Sequence, residues 1–140
     1  MKAIIVAAGP GIRLMPLTEN KPKCMLEVEE KTILRIILEA LRENGINIIV
    51  IVRGHKKEAI NYPDIKYYYN PNYMKENILS SLFYAEKEMK DGFVFSYSDT
   101  LYTASIVRKL LQSRGDTTLV VDTNWAPKYR NRTLHPTDEA

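Results

Sequence analysis

An unbroken apolar run, Ala3-Ile4-Ile5-Val6-Ala7-Ala8, follows Lys2 and is closed by Gly9. No polar residue interrupts alternate positions, so residues 2–7 read as a strand covered on both faces. Gly9, Pro10, Gly11, Pro16 and Pro22 crowd the next stretch, which makes residues 9–23 a long loop. Helical spacing begins after Thr32, a residue type suited to an N-cap. Ile33, Leu34, Ile37, Leu38 and Leu41 recur every three or four positions, and Gly45 stands where such a helix should stop. The β-branched stretch Ile46–Val52 predicts a second strand, Lys56–Ile60 a short polar helix, and Ile65–Tyr69 a third strand. Asn77 is placed to cap a helix carrying Ile78, Leu79, Leu82, Phe83 and Met89. Phe93–Tyr97 then predicts a strand, Ala104–Ser113 a helix and Thr118–Val121 a further strand. Strands alternating with helices imply an α/β fold of three layers (αβα), a mostly parallel sheet with helices on both faces. Residues 122–140 show no apolar periodicity, and Asp138-Glu139-Ala140 follow no closing element. Residues 1–140 are therefore expected to be the N-terminal part of a single domain whose C-terminal remainder is absent.

Composition narrows the class without changing that picture. The 140 residues are 45% apolar and 26% charged, which excludes wholesale disorder, a collagenous repeat and a disulfide-stapled miniprotein. Twenty basic against seventeen acidic side chains leave +3, too mild and too dispersed to argue for nucleic acid. No apolar run approaches the ~18 residues that cross a bilayer, and the opening run is too short for a secretory leader. Cys24 is the only cysteine, so no internal disulfide forms and a reducing cytoplasm is expected. Its neighbourhood offers no histidine, which favours packing over a nucleophilic role. His55 and His135 lack ligand spacing, which argues against zinc. Homo-oligomerisation stays open.

The candidate chemistry lies in the loop after the first strand. In an open α/β sheet, ligands bind where the strands end at their carboxyl side. Glycines there let backbone N–H groups approach an anion, and successive amides make a nest for phosphate oxygens. Arg13 and Lys23 add a planar fork and a compact point charge. The loop is not a Walker A motif, since no Gly-Lys-Ser/Thr follows. It also lacks the dinucleotide fingerprint, because Leu14 stands where the third glycine belongs. A glycine turn with solvated basic residues is the alternative. Farther on, the strand Phe93–Tyr97 leads through Ser98 into Asp99, a carboxylate facing the same crevice. Mg²⁺ favours one or two carboxylates with phosphate oxygens and water, so Asp99 is a sensible partial ligand set; capping the following helix is its other reading.

The order Ala7-Ala8-Gly9-x-Gly11-x-Arg13-Leu14-x-Pro16-Leu17-Thr18, then Pro22-Lys23, resembles the signature of the nucleotidyltransferases that make nucleotide-activated sugars and alcohols. The resemblance implies a Rossmann-like fold of the nucleotide-diphospho-sugar transferase type. It also implies that Ala7, Ala8, Gly9 and Gly11 wrap a nucleoside triphosphate, with Arg13 and Lys23 on its phosphates as the catalytic cations. Asp99 would bind Mg²⁺, joined in the family by a second aspartate from farther along. Pro10 departs from the small residue common at that position and stiffens the loop.

Asn70-Pro71-Asn72-Tyr73, then Asn77-Ile78-Leu79-Ser80-Ser81-Leu82, is similar to the phosphocholine cytidylyltransferase branch, with Ile78 in place of a second asparagine. Asn77 and Ser81 then contact the base or the acceptor, or else they only satisfy a helix N-terminus. The tail Asp122-x-x-Trp125-x-x-x-Tyr129-x-x-Arg132-x-x-His135 is similar to phosphocholine and phosphonate cytidylyltransferases. Trp125 and Tyr129 could present aromatic faces to a quaternary ammonium, at about 0.5–2 kcal/mol per contact. Arg130 or Arg132 could hold the acceptor's phosphate or phosphonate; a Trp that plugs a core edge among surface arginines is the other reading. The implied activity is Mg²⁺-dependent transfer of CMP from CTP to a phospho-alcohol or phosphonate such as phosphocholine or 2-aminoethylphosphonate, with release of pyrophosphate. A sugar-1-phosphate uridylyl- or thymidylyltransferase and a non-catalytic nucleotide-binding module are the competing readings.

Overall fold

The computed structural model describes residues 1–130. Four parallel strands form the main sheet: β1 (Lys2–Ala7), β4 (Ile48–Arg53), β5 (Ile65–Tyr69) and β6 (Phe93–Tyr97), in the spatial order β5-β4-β1-β6. A two-stranded antiparallel hairpin, β2 (Glu27–Val28) with β3 (Lys31–Thr32), leads into α1 (Ile33–Arg42). The other helices are α2 (Ile78–Phe83), α3 (Ala104–Leu111) and α4 (Trp125–Tyr129). Among the described residues no helix is long and apolar enough to cross a membrane.

The continuous apolar run of β1 is explained by what covers it. Ala3, Ile5 and Ala7 pack with Ile49 and Ile51 of β4 against Leu34, Ile37, Leu38 and Leu41 of α1 and Val107 of α3. Ile4, Val6 and Ala8 face the other way, with Val50, Val52 and Ala85, under Leu82 of α2. Both faces of the strand are thus core, and the three-layer arrangement follows. Burying each of the large aliphatic side chains contributes roughly 1.5–3 kcal/mol. Helix α1 starts as its sequence predicts: the Thr32 hydroxyl accepts from the backbone N–H of Arg35 at 3.2 Å.

Chain direction matters more than the count of strands. From β1 the chain goes to β4 and then outward to β5, and it returns through α2 to β6 on the opposite side of β1. The order reverses at β1, so a crevice opens beyond the carboxyl ends of β1 and β6.

Several elements differ from the sequence reading. The strand expected over 46–52 is displaced to Ile48–Arg53, and only a 3-10 turn at Lys57–Ala59 stands in place of the polar helix. Helix α2 ends at Phe83 instead of running on to Met89. Ala85 turns fully into the core, and Glu88 is drawn to Lys2, Lys66 and Tyr68 from a 3-10 turn at Glu86–Glu88. Thr118–Val121 is not a strand: no backbone among the described residues pairs with it, and Leu119, Val120 and Val121 are exposed. The expectation of an irregular stretch after Val121 gives way to the short helix α4.

Candidate active site

The loop after β1 is held in shape by its own residues. Gly11 has φ of 61°, a left-handed conformation that strains a residue with a side chain. A 3-10 turn at Ile12–Leu14 follows, closed by the Leu14 N–H donating to the Gly11 carbonyl at 2.9 Å. The Thr18 side chain, fully buried, comes back across the loop and donates its hydroxyl to the same carbonyl at 2.9 Å. The Thr18 carbonyl in turn pairs with Nε2 of His55 at 3.0 Å, and the His55 backbone N–H donates to the Ala8 carbonyl at 2.9 Å.

Gly54, just past β4, makes this junction possible. A Cβ there would lie 2.5 Å from the Ala8 carbonyl oxygen and 2.8 Å from Cβ of Tyr73. Only a residue without a side chain lets the ends of β1 and β4 and the Tyr73 turn meet this closely.

Lys23 and Asp99, 76 positions apart, meet across the crevice with Nζ 2.8 Å from Oδ2. Each is partly open to solvent. Val6, Ala7, Gly9, Gly11, Pro22 and Lys23 line one side of a cleft of about 180 Å³, and Tyr97, Ser98 and Asp99 close the end of β6. Tyr73, Glu76, Asn77, Ile78 and Ser81 form the facing wall. Cys24 also lines the cleft but is buried, and burial pushes its thiol up to about 12, with Ser98 pulling the other way through a hydrogen bond. A thiol so reluctant to ionise is a packing residue.

The two roles weighed for Asn77 and Ser81 are partly resolved by this geometry. The Asn77 side-chain oxygen accepts from the Ser80 N–H at 2.9 Å and caps α2. The buried Ser81 hydroxyl donates to the Asn77 carbonyl at 3.1 Å and accepts from Nδ2 of Asn70 at 2.9 Å. Both side chains are engaged in holding the wall, and both residues also face the cleft. Arg13 sits on the exposed 3-10 turn of the loop and Ala8 packs beneath it; neither lines the cleft. Trp125 and Tyr129 lie on α4, Trp125 partly exposed and also away from the cleft lining. Arg132 and His135 fall outside the described residues.

Among the described residues no three His, Cys, Asp or Glu side chains gather into a metal cage. Asp99 offers a hard carboxylate oxygen on the Lys23 side of the crevice, which fits a cation that takes most of its ligands from phosphate and water.

Four site residues carried no role in the sequence reading: Gly54, Tyr73, Glu76 and Ser98. Tyr73 stood inside a quoted motif. Glu76, one position before the helix cap Asn77, was not singled out.

The profile of the MobA-like NTP transferase domain matches residues 3–137. The CTP:phosphoglutamine cytidylyltransferase of Campylobacter jejuni is 37% identical over 151 aligned positions, which span 100% of this chain and 60% of that protein. The UTP–glucose-1-phosphate uridylyltransferase AglF of Haloferax volcanii is 32% identical, over 87% of this chain and 54% of its own length. The solved CTP:phosphocholine cytidylyltransferase of Streptococcus pneumoniae superposes with a TM-score of 0.67 and 34% identity, covering 74% of this chain and 49% of that one. The chain thus spans about half to three fifths of the length of these relatives.

Proposed function

The chain belongs to the MobA-like NTP transferase family, and on that premise we propose that its cleft binds CTP and serves transfer of CMP to a small phosphorylated or phosphonate acceptor. The observation that carries the reading is the meeting of Lys23 and Asp99 at 2.8 Å beside the glycine loop, at the point where strand order reverses. A cation for phosphate, a carboxylate for a metal and a nest of backbone amides are what a nucleoside triphosphate requires.

In the transfer, an acceptor oxygen, already anionic, attacks the α-phosphorus of CTP. A new P–O bond forms, the bond between the α-phosphorus and its bridging oxygen breaks, and pyrophosphate leaves. No strong general base is needed, so the protein's work is alignment and charge neutralisation. Lys23 exchanges Asp99 for the triphosphate, while the amides of Gly9 and Gly11 cradle its oxygens. Arg13, on the outer turn of the same loop, is assigned to the phosphates that project from the cleft mouth. Asp99, released from Lys23, is the residue that would hold Mg²⁺, which when bound supplies positive charge to the phosphate oxygens. Trp125, Tyr129 and Arg132 remain the proposed acceptor contacts, on the strength of their resemblance to phosphocholine and phosphonate enzymes.

The test is thermal stability with Mg²⁺ and each of CTP, UTP, ATP and GTP, since a ligand bound to the folded state raises stability by mass action. A shift selective for CTP supports the reading. A UTP-selective shift transfers it to the sugar-nucleotide branch, and a shift without turnover on any acceptor supports a binding module.

A further inference from the structure

The two walls of the cleft differ in charge. The glycine loop brings backbone amides and Lys23, whereas the facing wall of Tyr73, Glu76, Asn77, Ile78 and Ser81 contains no cation and one carboxylate, Glu76. That carboxylate is incompletely used. Its Oε1 accepts a long hydrogen bond of 3.4 Å from the Tyr84 hydroxyl. Its Oε2 is shielded from solvent and has no hydrogen-bond partner among the described residues. The backbone beneath it is fixed, the N–H groups of Lys75 and Glu76 donating to the Asn72 carbonyl at 2.8 and 3.1 Å. An anionic oxygen held out of water without a donor is costly, and the cost is relieved when a ligand brings one.

We propose that Glu76 selects cytosine over uracil by accepting a hydrogen bond from the base's exocyclic amine. The inference rests on the reading that this cleft holds a nucleoside triphosphate. An ionised carboxylate only accepts hydrogen bonds and repels phosphate, so the triphosphate lies along the Lys23 wall and the nucleoside meets Glu76. Cytosine carries an amino group at its position 4, where uracil carries a carbonyl oxygen. The carboxylate, held only by its long bond to Tyr84, turns toward the cleft when the nucleoside enters. The first group then donates to Oε2, while the second faces it as a like-polarity oxygen and leaves it unpaired. Discrimination of this kind is steep because the wrong base strands a buried polar group. Tyr73 and Ile78, on either side of Glu76 along the wall, provide flat and apolar surface for the ring.

The experiment is calorimetric titration of the chain with CTP and with UTP in Mg²⁺, for the wild type, Glu76→Gln and Glu76→Ala. The wild type should bind CTP at least tenfold more tightly than UTP. In Glu76→Gln the amide can rotate its NH2 toward the uracil carbonyl, so the CTP preference should fall at least tenfold, with tighter UTP binding than wild type. Glu76→Ala should weaken CTP without improving UTP. Because the changed oxygen has no partner among the described residues, the melting temperature of nucleotide-free Glu76→Gln should equal or exceed that of wild type. An unchanged CTP-to-UTP ratio in Glu76→Gln overturns this assignment while leaving CTP binding in place. A wild type that prefers UTP also overturns it, and a wild type that binds neither nucleotide removes the underlying reading as well.

Discussion

Replacing Lys23 with alanine separates what this residue does for the fold from what it does for the reaction. Its contact with Asp99 is short, 2.8 Å, but the two side chains keep 41% and 35% of their accessible surface. Exposed pairs of this kind contribute about 0–1 kcal/mol, because water screens the attraction and two mobile side chains must be ordered. For a domain of this size that corresponds to a fall in melting temperature of no more than about 4 °C. The charge left behind on Asp99 is hydrated and costs little.

Under the proposed function the effect on reaction is larger. A lysine ammonium about 4 Å from developing phosphate charge, in a half-enclosed cleft with an effective dielectric near 20, supplies about 4 kcal/mol. At 1.36 kcal/mol per decade, the expected loss in kcat/KM is about 10² to 10³-fold. The assay is pyrophosphate release from CTP with phosphocholine, phosphoglutamine or 2-aminoethylphosphonate as acceptor, run beside a thermal melt of the same preparation. A variant within threefold of the wild-type rate would refute the assignment of Lys23 to the phosphates. A drop of 10 °C or more would show that the residue's main role is structural.

Three other outcomes follow from the geometry. Gly54→Ala places a Cβ 2.5 Å from the Ala8 carbonyl oxygen and should cost about 1–3 kcal/mol, read as a lower urea midpoint. Glu88, gripped by Lys66, Tyr68 and Lys2, has its carboxyl lowered from 4.5 to about 2, so its stabilisation is full above about pH 4.5 and is lost as pH falls through 2. Melting temperatures measured between pH 6 and 2 should therefore fall less steeply for Glu88→Gln than for wild type. The Cys24 thiol, held near 12 by burial, should resist a thiol-titrating disulfide reagent at pH 8 in the folded protein and react fully once guanidinium unfolds it. Rapid labelling without denaturant would contradict that burial.

The elements that were legible in the sequence are those whose pattern reports on burial. β1 could be read because both its faces are core, and α1 because its buried residues share one stripe between a threonine cap and a glycine. The loop after β1 was legible as a loop because glycines and prolines punctuate it. The β2–β3 hairpin was not, since its turn residues Glu29 and Glu30 adopt φ of 50° and 65° without the glycine or asparagine that marks such turns. Thr118–Val121 has strand composition, but a strand also requires a ladder partner, and composition says nothing about one. The pairing of Lys23 with Asp99 belongs to the topology, which sends β6 back beside β1. Glu76 became visible only once its oxygen could be seen to lack a donor. Gly54 carried a local sign, a glycine at a strand end, with no hint of which backbone it would touch.

The pinning of Thr18 between the Gly11 carbonyl and the His55 ring has a consequence for how a ligand arrives. The glycine loop after β1 is a mould set during folding, so a phosphate bound there as proposed loses little affinity to ordering the chain. The end of β4 is coupled to the loop after β1, because the His55 N–H is tied to the Ala8 carbonyl. Hydrogen exchange at that amide should then slow when a nucleotide is added, even though His55 does not line the proposed cleft, and the degree of slowing measures how strongly occupancy of the cleft and integrity of the sheet are thermodynamically linked.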